Sequence, residues 1–370
     1  MTPDVRALRV ALRRTLPPEV FEPRPIRGWL GFAEAAAALV LAIGVATLEP
    51  RWFVALPLSL AIGQLLTASS LAAHEAMHGA VFRRRWANVL LAWVGLGPLW
   101  ITPGTWVAWH VQAHHGHTNI GRLDPDALFD VDQLRTSRIA RLRARMTLGT
   151  ESRWLSVLSL AVLFAVQGQL FLWVQCDDPG LRDRVTLNRT RERALTVGLV
   201  AGWVALGAWL GWPTALWVLG IPFATHNLTL MAYVSTQHWL RPQVDGDDPL
   251  ASTVSVAVPR WADALHFGFS YHQEHHLFPR VSHRHGPAIR AATERIRPGS
   301  TTVLPWGRAL WAVFATPTTH RDRTTLTTAD GRQVVDLRRV LPPPTGWGEP
   351  ARDPGAEPVE PTVEPGGAFG

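Results

Sequence analysis

Apolar residues in this chain gather into long unbroken runs instead of alternating or marking one face of a helix. Residues 29–48 and 52–73 each supply the roughly 20 apolar residues that a helix needs to cross a hydrocarbon core of about 30 Å. Only Glu49, Pro50 and Arg51 separate them, so the pair is expected to form a helical hairpin. Residues 86–101 are also apolar, but Gly95, Gly97 and Pro98 interrupt a run that is already short. An interfacial or re-entrant segment is expected there. Three further runs follow, at 154–174, 194–212 and 214–234. Beyond them the chain turns polar. Residues 302–314 form a modest amphipathic stretch, and the Pro, Gly and Glu content after 341 predicts a disordered tail.

Charge decides which runs cross. The formal net charge is +7, and all 36 basic residues are arginine. Six arginines precede residue 29, seven lie between 119 and 153, and five lie from Arg182 to Arg193. Arginine-rich loops stay in the cytoplasm. Little more than Pro213 separates 194–212 from 214–234, so those two runs form the second hairpin. Residues 154–174 then rest in the interface or dip in without crossing. The expected fold is an all-α membrane protein with four transmembrane helices in two hairpins, interfacial helices, and a cytoplasmic histidine-rich cap that binds metal. Both termini and the cap face the cytoplasm of what reads as a bacterial cytoplasmic membrane. The expected organisation is a cytoplasmic segment at 1–28, a membrane domain at 29–320 and a cytoplasmic tail at 321–370, disordered after 341. Residues 7–16 suit a short basic amphipathic helix lying on lipid. The 18 tryptophans, many flanking the apolar runs, fit membrane interfaces. Because the arginines map onto membrane-proximal segments, a nucleic-acid partner is set aside.

The candidate chemistry is carried by histidine. His74 and His78 close the second apolar run at i and i+4, a spacing that puts both rings on one helical face. His110 and His114 repeat the spacing, with His115 beside them. His272 and His276 repeat it again, with His275 between. Eight imidazoles exceed the needs of one ion. They suit two metals in a shared pocket, and nitrogen-rich ligation suits iron, copper, nickel or zinc. The lone Cys176 excludes a disulfide framework and a thiolate cluster. An imidazole ligand needs an acceptor on its other nitrogen, for which Glu75, Asp124, Asp126, Asp263 and Glu274 are the candidates. His226 and Asn227 form a polar pair at membrane depth, expected to bond to a neighbouring helix. His266, His283, His285 and His320 are expected not to be ligands.

HEAMHGAVF from His74, HVQAHHGHTN from His110 and YHQEHHLFP from Tyr271 resemble the three histidine boxes of the integral-membrane fatty acid desaturases. The resemblance covers roughly residues 29–289 and implies an O2-dependent di-iron enzyme that introduces a carbon–carbon double bond into an acyl chain, with an acyl-lipid as substrate. It adds His238, shortly after the last crossing helix, as a ninth ligand, and His117 as a residue supporting the ligands. Some members place an asparagine that holds a metal-bound water one turn before that ninth histidine; here the position is Val234. Some members also carry a fused cytochrome b5 domain. No such domain is evident, so electrons are expected from a separate ferredoxin-like or cytochrome b5-like donor. Hydroxylation or ketolation of a lipid or carotenoid on the same scaffold is the alternative outcome. An intramembrane zinc protease, suggested by the HExxH of His74–His78, leaves six or more histidines without a purpose. A metal carrier would place its ligands within the crossing helices or in low-complexity loops.

Overall fold

Four helices in the computed structural model, which describes residues 3–341, are long and apolar enough to cross a membrane: Pro25–Leu48, Trp52–Met77, Arg189–Leu210 and Trp212–His238. They form the two expected hairpins. Lipid tails are as apolar as leucine, so these helices associate through close packing at small residues. Trp52–Met77 is the central one. It packs against Pro25–Leu48, against the short helix Arg85–Leu96 and against Ile221–His238. Gly95 sets one of these approaches, because a Cβ there would lie 2.7 Å from the Ser69 carbonyl oxygen. His226 Nε2 lies 3.0 Å from Ser70 Oγ, which joins the last span to the central one as expected. Asn227 Oδ1 accepts from the Ala165 amide at 2.9 Å.

The intermediate apolar run is broken. Arg153–Ser159 and Leu163–Asp177 meet at 80°, so the segment does not run as one straight span. Arg189–Leu210 stands apart from the rest: 6% of its apolar window is buried inside the protein, against 50% for Trp52–Met77.

Above one end of the bundle sits a cap built from residues after His238. It holds the helices His272–Leu277 and Gly286–Ile296, and a short parallel pairing of Ser255–Ala257 with Val303–Pro305. A three-stranded antiparallel sheet follows, formed by Thr319–His320, Thr325–Thr327 and Val334–Asp336. Leu326, Leu337 and Leu341 from this region join the main apolar core. The boundary expected at residue 320 therefore falls inside a folded unit. The tail expected to be disordered lies outside the described residues.

The N-terminal helix, Pro3–Thr15, is not laid on lipid as the sequence led us to expect. Its apolar face, Val5, Leu8 and Leu12, is buried together with Leu16 against Leu277, Phe278, Val281 and Ile289 of the cap. Arg9 adds a hydrogen bond to the His276 carbonyl at 3.0 Å. The cap offers apolar surface that would otherwise face water, and burying each large side chain contributes roughly 1.5–3 kcal/mol.

Candidate metal centre

All four histidine-bearing elements end at the same place. His74 closes the central helix and His78 follows it. His272, His275 and His276 share one short cap helix, and His238 ends the last span. Val107–His114 is a π-helix, not the α-helix that the spacing suggested. The His115 amide donates to the His110 carbonyl at 3.0 Å, an i→i+5 bond typical of π turns, which often mark functional sites. The wider turn brings His115 Nε2 to 3.1 Å from His110 Nε2, while the His114 ring still stacks on His110 at 5.2 Å between centroids. Trp106 stacks on the His110 ring at 4.5 Å between centroids and fixes its orientation.

The nine rings sort into two adjacent groups. Ligand atoms of His74, His78, His110, His115 and His275 all lie within 4.8 Å of one another, as do those of His114, His238 and His276. His272 joins the second group, with its Nε2 at 2.6 Å from His238 Nε2 and 3.2 Å from His276 Nε2. In the first group, His74 Nε2 lies 3.0 Å from that of His275 and 3.2 Å from that of His110, and His115 Nε2 lies 3.1 Å from both His110 and His275. A neutral imidazole has only one N–H. So many nitrogens cannot all face one another through protons, and His78 Nε2 and His114 Nε2 are buried with no hydrogen-bond partner among the described residues. A cation at the centre of each group satisfies this donor set, and imidazole suits iron, copper, nickel or zinc. Burial, reinforced by the neighbouring rings, holds His110, His115, His272, His275 and His276 well below the ordinary histidine value. They are therefore neutral at pH 7, the form that binds metal.

His114 differs. Burial alone would lower its pKa, but the Asp124 carboxylate at 2.9 Å from its Nδ1 more than offsets this and raises it. Asp126 is 3.4 Å from the same nitrogen and accepts from Trp109 Nε1 at 2.8 Å; burial pushes this carboxyl up to about 6. The carboxylates thus fix the ring with Nε2 turned to the second group. Around them, Thr118 Oγ1 lies 3.3 Å from His276 Nδ1. Asn119, in the left-handed region at φ 57°, reaches the His238 and Ser252 carbonyls.

The other expected supporting residues make different contacts. Glu274 pairs with Arg290 at 2.5 Å and accepts from Ser255 at 2.6 Å. Asp263 accepts from Ser270. His117 Nδ1 is 3.1 Å from the Ala113 carbonyl. Glu75 is bonded by Arg27 at 2.8 and 2.5 Å and by Ser282 at 3.2 Å, and lies 3.1 Å from His283 Nδ1. His283 is buried and packs edge-on against His275, with centroids 4.6 Å apart, so Glu75 reaches the site through it. Nothing in the sequence signalled Arg27, Ser282 or His283: each meets Glu75 only through the fold. His266, also buried, bridges Tyr233 and Gln64 at 3.0 Å each.

A small chamber of about 30 Å³ is lined by His74, His110, His114, His238 and His272. Leu71, Leu96, Phe164, Leu230 and Val234 also line it. Val234 gives it an apolar surface beside His238.

The profile of the fatty acid desaturase family matches residues 50–306. The chain is similar to the sn-1 oleoyl-lipid 12-desaturase of a Synechocystis species, at 25% identity over 71% of this chain and 75% of that protein. It is similar to the protein of the same description in a Picosynechococcus species, at 24% over the same shares. It is also similar to the acyl-lipid (7-3)-desaturase of Diacronema lutheri, at 27% over 60% of this chain and 54% of that protein.

Proposed function

The chain belongs to the fatty acid desaturase family and is an oxidoreductase, and on that premise we propose that it is an O2-dependent, di-iron acyl-lipid desaturase. One iron is assigned to His74, His78, His110, His115 and His275, the other to His114, His238, His272 and His276. The observation that carries this reading is the pair of convergent imidazole groups bordering a chamber that apolar side chains also line. Two irons bound there would supply the O2-dependent oxidation of an unactivated methylene. Overall, two hydrogens leave adjacent carbons, and two electrons from a separate ferredoxin-like or cytochrome b5-like donor, with two protons from solvent, complete the reduction of O2 to two waters.

The chain's own residues do the positioning. Leu71, Leu96, Phe164, Leu230 and Val234 offer the acyl chain a dry surface beside the ligands, and holding the two in fixed relation is where most of a protein's contribution lies. At about 30 Å³ the chamber has room for about one water molecule, so these side chains part to admit a substrate. Asp124 and Asp126 orient His114, and Trp106 orients His110. Glu75, engaged by Arg27 and Ser282, is not free to act as the general base of a zinc protease.

The site is assigned to the cytoplasmic face of a bacterial membrane, with both termini on that side, from which the donor would deliver its electrons. Lipid profiling tests the reading. A host expressing the chain should gain acyl chains with one more double bond, and a host expressing His114→Ala should not. Hydroxylated or keto lipids in place of unsaturated ones would move the reaction to the alternative outcome.

A further inference from the structure

A cleft of about 870 Å³ opens beside the metal centre, with His78 and Met77 in its wall. It lies where the interfacial helix Arg85–Leu96, the start of the π-helix and the start of Arg189–Leu210 come together. Four arginines line it: Arg83, Arg85, Arg191 and Arg280. Arg83 is paired with Glu22 at 2.6 Å. No carboxylate pairs with Arg85, Arg191 or Arg280 among the described residues. The one carboxylate in the lining, Glu192, is buried and accepts from Thr102 Oγ1 at 2.6 Å. Three arginines in one cleft leave an unbalanced positive charge.

The cleft adjoins an apolar one along a crossing helix. Trp93 and Leu195 line both it and a second cavity of about 430 Å³. That second cavity runs along Arg189–Leu210 past Gly198, Gly202 and Leu206. A Cβ added at Gly198 or Gly202 would meet nothing within 4 Å, so the two glycines leave a trough on the helix face. This is also the span that stands apart from the bundle. The arrangement is bipartite: a basic cleft at the level of the metal ligands, continuous with an apolar trough in the membrane.

We infer that the cleft and trough together bind one anionic glycerophospholipid, its phosphate among Arg85, Arg191 and Arg280 and one acyl chain in the trough. Charge complementarity selects the headgroup, because each arginine near an anionic lipid favours it over a neutral one. The trough selects a membrane-resident molecule over a soluble thioester. The inference rests on the acyl-lipid reading above and names the carrier: a lipid held here stands next to the ligands it must reach.

The test uses the full chain in nanodiscs. Native mass spectrometry counts bound phosphatidylglycerol against phosphatidylcholine at equal loading, and desaturation is followed for both lipids and for the matching acyl-CoA. Phosphatidylglycerol should be retained preferentially. The preference should fall on the order of fivefold for each arginine changed to glutamine and return when the same three positions carry lysine. Gly198→Leu with Gly202→Leu should lower retention of both lipids while iron content stays unchanged. Equal retention of the two lipids, or a preference that survives the three glutamines, overturns the inference. Conversion of acyl-CoA alone, without lipid preference, overturns it too and leaves the desaturase reading intact. Preference without conversion of any carrier supports the lipid site and counts against the desaturase reading.

Discussion

His114 is held through its Nδ1 by Asp124 while its Nε2 turns to His238 and His276, and that division of labour is testable. Residues that orient a metal ligand typically contribute 10 to 100-fold to metal affinity. Asp124→Asn removes the charge and keeps the shape, so it should weaken metal retention by roughly that factor in a chelator challenge. Asp263→Asn, whose partner is Ser270, should leave retention unchanged. Charge also sets the response of the apo-protein to acid. The folded state keeps His110, His115, His272, His275 and His276 neutral, with pKa values well below 6.5. Below pH 6.5 the unfolded chain therefore binds protons that the folded chain refuses, and stability falls as pH falls. The melting temperature of the metal-free protein should drop between pH 6.5 and 5, the five lowered rings outweighing His114 and Asp126, whose raised pKa values act in the opposite direction. A flat profile to pH 5 would mean that the rings are solvated. At this scale the sequence disclosed the histidines and Asp124, because their spacing is local. Arg27 and His283 stayed hidden, since each meets Glu75 from far along the chain.

Helices carry the histidines to one point, and the fit between helices limits how far they can shift. Gly95 lets the interfacial helix sit against the Ser69 carbonyl. Gly95→Val must push the two backbones apart, and overpacking of this kind costs about 1–3 kcal/mol. The variant should melt at a lower temperature in detergent and lose metal more readily, because the central helix also carries His74. Wild-type melting would contradict the close packing. The four spans were legible from apolar run length and arginine placement. The π-helix was not. The spacing of His110, His114 and His115 is equally compatible with α-helical turns, and it takes the i→i+5 bond to show that His115 as well as His114 lies against His110. The role of the N-terminal helix was hidden for a related reason: an amphipathic face announces that it will be covered, not whether lipid or protein covers it.

Across the whole molecule, the two hairpins bring every arginine-rich segment to the end that bears the histidine groups, so the assigned topology stands or falls with the site. With Cys176 changed to alanine, a cysteine introduced at Thr186 should label only from the cytoplasmic side; labelling from the other side would reverse the orientation. The central claim is that nine imidazoles in two groups hold two metal ions, and metal counting on anaerobically purified chain reaches it most directly. The account expects two irons per chain in the wild type, and about one in His238→Ala, which removes a ligand from the second group alone. One zinc per chain, with no activity gained on adding iron, would contradict it.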